Sequence, residues 1–184
     1  MADFDTFVST SSDSLFTADI GTRVNLPNVV DYFLFINVIG ADDNDAKNQY
    51  FSFYSSKSNP QFFYSVWDMD GSMGRTWDGI YDSDTQVYGT TNYLFSRLIA
   101  LNVGGFRDMM KARWNSLKTN QLSKNTVNLR ILAFAKQLIL TNAGSREMVK
   151  WGNITQSFTA EATYMSNWYS AHYDNLDNYI NGKL

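Results

Sequence analysis

The chain has 184 residues, 44% of them hydrophobic, with 15 Lys and Arg against 18 Asp and Glu, one His and no Cys. These values suit one compact domain and exclude collagen, coiled coil and disorder. They also exclude a disulfide framework, a thiolate zinc site, a thiol nucleophile and any centre needing two imidazoles. No apolar run approaches the roughly 20 residues of a membrane span, and Met1 to Asp5 lacks the basic, then apolar, layout of a secretory signal. The expectation is a soluble chain without a membrane span, its compartment left open.

Charge is segregated along the sequence. Residues 1–74 carry three basic residues against ten Asp, a net of −7, whereas residues 75–150 carry eleven against five, a net of +6. Of the 18 acids, 16 are Asp, a poor helix-interior residue but a good cap and metal ligand. Five Asp fall in two short segments, Asp42-Asp43-Asn44-Asp45 and Asp68-Met69-Asp70. Metal binding is one cause for such clustering. The basic stretch is spread over several segments, so it reads as a solvated surface, and the overall negative charge disfavours nucleic acid as a partner.

In chain order, Phe4 to Ile20 predicts two short helices broken at the Ser9 to Ser14 run, which supplies a new N-cap. Pro27 opens a deeply buried helix over the apolar segment Val29 to Ile39, which Gly40 stops. An acidic loop, Ala41 to Lys47, follows. The aromatic runs Gln49 to Tyr54 and Gln61 to Trp67, separated by Ser55 to Pro60, predict a β-hairpin. Gly71 to Gly89 is longer than an ordinary connection and is expected to be functional. Helical patterns then cover Tyr93 to Leu101, Phe106 to Leu117, Leu129 to Leu140 and Phe158 to Ile180. The reading is a single domain over 1–184, α+β but mostly α, with a central hairpin and a C-terminal helical bundle.

Asp43 precedes Asn48 by five positions, the D-x-x-x-x-N spacing of a kinase catalytic loop. There the Asp orients or deprotonates the attacking hydroxyl and the Asn amide oxygen holds magnesium. A hairpin then leads to Trp67-Asp68-Met69-Asp70-Gly71, where such enzymes bind the metal that bridges the nucleotide phosphates. Magnesium needs hard oxygen ligands on a fixed scaffold. Lys47, between the two motif residues, is placed to meet the transferring phosphoryl group.

The order helix, Asp-x-x-x-x-Asn, aromatic hairpin, Trp-Asp-x-Asp-Gly, Gly-rich loop and helices resembles the CotH family, the spore-coat-type kinases with an atypical protein-kinase fold. The matching residues are Asp31 to Phe35, Asp43-Asn44-x-x-Lys47-Asn48-x-Tyr50, and Val66 to Gly74. The resemblance implies ATP-dependent phosphoryl transfer to protein Ser or Thr hydroxyls with Mg2+ or Mn2+. Asp43 would be the catalytic residue, Lys47 the nucleotide contact, and Asn48, Asp68 and Asp70 the metal-side residues. The family's upstream phosphate-covering loop and Glu-held basic residue have no counterpart before Asp43, where no G-x-G-x-x-G occurs and Arg23 is the only base. The chain therefore looks like the C-terminal lobe of a kinase-like fold, from a parent expected to be exported or surface-associated.

Other readings attach to the same residues. Asp42, Asp43 and Asp45 also suit an acidic loop capping local amides. Asp68-x-Asp70-Gly-Ser resembles the first motif of haloacid-dehalogenase-type phosphatases, but that fold requires a doubly wound parallel sheet, which the pattern lacks. No twelve-residue calcium loop is present. His172 reads as a hydrogen-bonded packing residue, and Trp151, Tyr164, Trp168, Tyr169 and Tyr173 as core aromatics. Gly71 and Gly74 suit either a phosphate approach or a simple turn. A noncatalytic interaction module, for coat or surface assembly, is the alternative from a different class.

Overall fold

A computed structural model describes residues 2–53, 60–152 and 157–184. Eight helices, α1 (Ala2–Thr10), α2 (Asp13–Arg23), α3 (Leu26–Ile39), α4 (Tyr93–Leu101), α5 (Phe106–Lys118), α6 (Lys124–Leu140), α7 (Ala143–Trp151) and α8 (Phe158–Asn178), accompany the strands β1 (Tyr50–Phe53) and β2 (Phe62–Ser65). The strands form an antiparallel hairpin in which Tyr50 faces Ser65 and Phe53 faces Phe62. The Ser55 to Pro60 turn lies almost wholly outside the described residues. The α+β, mostly α reading holds. Among the described residues the only sheet is this hairpin, which leaves no parallel sheet for the phosphatase reading.

The predicted stops and starts work as the chemistry requires. Ser12 accepts the Leu15 amide and opens α2. Asn25 accepts the Asn28 amide at 3.1 Å, Pro27 sits in the first turn of α3, and Gly40 ends the helix at φ 63°. Apolar almost all round, α3 buries eight residues and becomes the axis of the molecule. It packs against α5, α8 and β2. Phe33 and Ile36 join Phe95, Phe106, Met110 and Trp114, all fully buried, in one core, each large side chain contributing roughly 1.5–3 kcal/mol by leaving water. On the hairpin side Tyr32 stacks on Tyr64 at 4.2 Å, and Phe4 of α1 lies 4.9 Å from Phe62.

Two expectations need correction. Helix α6 begins at Lys124, after the Ser123 N-cap and five residues before the predicted Leu129, because Val127 packs against the core and extends the apolar face. Helix α7 was not expected at all; it is nine residues long and buries nothing. Accordingly Trp151 is 62% exposed and is no core residue, whereas Trp168 and Tyr169 are buried and Tyr164 and Tyr173 pack against the core.

The indole of Trp168 wedges between the end of α3 and the loop after β2. A Cβ on Gly40 would lie 2.4 Å from its Cη2, and one on Gly74, at φ 84°, would lie 2.5 Å from its Cδ1. Glycine at 74 is thus required by packing as well as by backbone conformation. Gly79 has a similar φ of 81° with nothing within 4 Å. Gly79→Ala is expected to cost only the left-handed backbone penalty of about 1–2 kcal/mol. Gly74→Ala should cost about 1–3 kcal/mol more for the overlap with the ring. Urea denaturation of the two variants measures the difference.

Candidate functional site

The acidic segment after Gly40 folds as a 3-10 turn over Asp42–Asp45. Its anchor is Asn44, 1% exposed. The Asn44 side-chain amide donates to the Trp67 carbonyl at 2.8 Å and to the Asn48 carbonyl at 3.2 Å. Its backbone carbonyl accepts the Tyr32 hydroxyl at 3.0 Å. Burial, followed by the charge of Asp45, pushes the Tyr32 phenol up to about 12, so it stays a donor. One amide therefore fastens the loop carrying Asp43 and Asn48 to the end of the hairpin, one residue before Asp68. The Asn44 Oδ1 atom is buried with no hydrogen-bond partner.

The remaining loop is fixed from the helices. Asn37, fully buried in α3, presents its amide edge to the backbone of one residue: Oδ1 accepts the Tyr88 N–H at 2.8 Å and Nδ2 donates to the Tyr88 carbonyl at 3.2 Å. His172 sets Nδ1 2.8 Å from the Asp84 carbonyl and Nε2 against the Asn37 carbonyl, stacked on Trp168. Its sequence reading as a hydrogen-bonded packing residue is what the geometry gives. Arg75 makes a two-pronged contact with Glu161 at 2.7 and 2.8 Å and lies over the Tyr81 ring. The Met73 amide donates to the Ile39 carbonyl at 2.6 Å.

These anchors gather negative charge. Asp42 has its carboxyl held above the usual range, first by burial and then by repulsion from Asp82, Asp45 and Asp43. The Tyr88 hydroxyl donates to Asp82, and burial together with that partner and the charges of Asp42 and Asp45 pushes the phenol upward. Asp45 accepts the Gly89 amide at 3.2 Å.

The sequence-predicted site residues are placed as follows. Asp43 and Lys47 form an exposed ion pair at 2.9 Å, which holds the Lys47 ammonium above its usual value, chiefly through that hydrogen bond. Asn48 is half-buried, its carbonyl held by Asn44. Asp68 is exposed and sits at φ 54°, a left-handed conformation that Asp tolerates better than most residues. Asp70 is exposed and accepts the Gly71 amide at 2.9 Å. No hydrogen bond or ion pair joins the Asp68 or Asp70 side chain to Asp43, Lys47 or Asn48. Nor do three or more His, Asp or Glu among the described residues form a group able to hold a metal by themselves.

A family model described as CotH kinase protein matches residues 1–176. This chain belongs to the CotH family. Comparison with curated proteins and with solved structures gives no significant match. In this CotH chain the residues that the sequence reading missed are ones that build the scaffold: Asn44, Asn37 and Asp82. An Asn in the otherwise apolar run of α3 was the one available signal for Asn37. Asp82 lies in the long loop expected to be functional.

Asn44→Ala removes two buried donors and leaves the Trp67 and Asn48 carbonyls without them. The expected loss is about 1–3 kcal/mol of stability, read by chemical denaturation. For Asp42 the folded protein binds its proton more tightly than the unfolded chain does, so this group's contribution to stability falls as pH rises above the ordinary carboxylate value. Asp42→Asn should therefore raise the melting temperature at pH 7, and the gain should vanish below about pH 4.

Proposed function

We propose that this CotH chain transfers the γ-phosphoryl group of ATP to Ser or Thr hydroxyls of proteins, with Mg2+ or Mn2+, on a scaffold equivalent to the C-terminal lobe of a protein kinase. The observation that carries the reading is the Asn44 clip, which sets the Asp43 loop beside the chain that leads into Asp68. In the reaction the acceptor oxygen forms a bond to the γ-phosphorus, the bond from that phosphorus to the β,γ-bridging oxygen breaks, and ADP leaves. Asp43 orients the hydroxyl and takes its proton. Lys47, on a mobile four-carbon stem four residues further on, turns from Asp43 to the phosphoryl oxygens.

The donor set suits magnesium in one respect and not in another. Asp68, Asp70 and the Asn48 amide are hard oxygen donors, but two carboxylates make no protein cage. That is the usual arrangement for magnesium, which binds through one or two carboxylates together with phosphates and waters. These three residues would hold the ion, and the ion would neutralise charge on the β- and γ-phosphates.

A second reading, a noncatalytic interaction module for coat or surface assembly, is favoured by one observation. Arg23, the sole base before Asp43, is taken up by Asp19 at 2.6 Å and by the face of Phe7, so it is not free to clamp a phosphate. The two readings separate on nucleotide binding. MgATP should raise the melting temperature, Asp68→Ala should abolish the rise, and labelled phosphate should pass from ATP to a Ser-rich protein such as casein unless Asp43 is changed to Ala. An unchanged melting curve with no transfer leaves the module.

A further inference from the structure

Helix α6 is the one long helix that buries none of its residues. Its inner side packs on α8, yet its outer side is apolar as well: Leu129, Leu132, Ile139 and Leu140 are 58, 49, 47 and 72% exposed. Leu129, Leu132, Lys136 and Ile139 follow a spacing of three, four and three, which is the a/d seam of a helix that pairs with another helix. At the C-terminal end the seam runs into an open groove of about 620 Å³ between α6 and α7, which Ile139 lines together with Met148 and Val149. Val149 is 90% exposed. A soluble chain does not ordinarily leave such a continuous face in water.

We infer that this face is a two-fold interface, and that its occupant is α6 and α7 of a second copy of the chain. Area supports this. The exposed parts of these six side chains amount to roughly 600 Å² per copy, so two copies bury roughly 1,200 Å² with apolar groups alone, within the range of stable interfaces. The spacing supports it too, because a narrow a/d stripe flanked by Ala133 and Ala135 admits a close helix. An antiparallel pairing of this seam sets Leu129 opposite Ile139 and Leu132 opposite Lys136 of the second copy. The methylene stem of the lysine then packs on the partner while its ammonium reaches outward. An anionic lipid surface fits less well, since Lys136 would stand in the middle of the embedded stripe, where a charge is most costly.

Charge gives the contact a signature. Helices α6 and α7 carry Lys124, Arg130, Lys136, Arg146 and Lys150 against Glu147 alone, so two copies repel at the rim. Salt therefore tightens a pairing between copies, whereas it weakens attachment to an acidic protein or lipid.

Sedimentation equilibrium of the full 184-residue chain tests the inference. A dimer mass at tens of micromolar is expected, with a dissociation constant that falls between 0.05 and 0.5 M NaCl, values chosen to span about a threefold change in screening length. Leu132→Asp, at an exposed position, should give a monomer with an unchanged circular dichroism spectrum, and Lys136→Leu should tighten the dimer about tenfold, a change of 1.4 kcal/mol. A monomer at 100 µM, roughly a hundred times a micromolar dissociation constant, overturns the proposal. A dimer that survives Leu132→Asp also overturns it, as does salt-sensitive binding of a monomeric chain to phosphatidylserine vesicles.

Discussion

Backbone that runs through a protein interior outside helix or sheet must find partners for each N–H and C=O, and in this chain three side chains meet that demand. Asn37 pairs with both groups of residue 88, Asn44 takes the carbonyls of residues 48 and 67, and His172 faces those of residues 37 and 84. All three are at most 1% exposed. An amide fits this task because it offers donor and acceptor in the plane of the peptide it matches. Losing any one leaves buried carbonyls or amides unpaired, a cost comparable to a sizeable part of the stability of a small domain. The loops from Gly40 to Tyr88 therefore depend on polar groups placed in α3, α8 and the acidic turn itself.

This arrangement separates two tasks that compete in one loop. Asn44 and Trp168 fix the backbone, while the carboxylates of Asp43, Asp68 and Asp70 remain at the surface. The repulsion that Asp82, Asp45 and Asp43 exert on Asp42 is a strain that the chain's own Lys47 offsets only in part. Lys47, 72% exposed, is ion-paired with Asp43, and its attraction to Asp42 is weaker than the repulsion from the other carboxylates. Such partly compensated negative charge lowers stability near neutral pH and raises the local affinity for cations. Stability is thus lower where cation chemistry is expected, and the apolar axis of α3 offsets it.

The helices were legible where an apolar stripe and a capping residue agree, as in α2, α3, α4 and α8. Burial did not decide the matter, since α6 buries no residue and was still expected, whereas α7, a nine-residue helix outside the core, was not. The two acidic segments stood out because Asp clusters are visible in composition, and their neighbourhood was readable from motif order. What tied them together was not. Asn44 stood inside the motif as an unremarked residue between two Asp, and its role depends on the Trp67 carbonyl lying 23 positions away, which no local pattern records. Trp168 was read as core, correctly, but its contact with Gly40 and Gly74 is a long-range fact that links the last long helix to both loops.

The same separation of frame and function appears around α6. Around α3 nearly every apolar group finds a neighbour, and the aromatic pairs of the hairpin close over it. Around α6 the packing is one-sided: α8 covers its inner face, leaving a cavity of about 400 Å³ lined by Met73, Ile131, Phe134 and Phe158, and solvent meets the outer face. Interiors close-pack wherever the chain can reach, so this half-filled region is where the sequence invests apolar residues without an intramolecular return. Leucines that served only the monomer fold would be free to drift to polar residues at little cost, because exposed apolar side chains contribute nothing to folding and favour aggregation. Their grouping in one stripe, with a single lysine in register, is the pattern of a surface whose neutral face is completed by another helix.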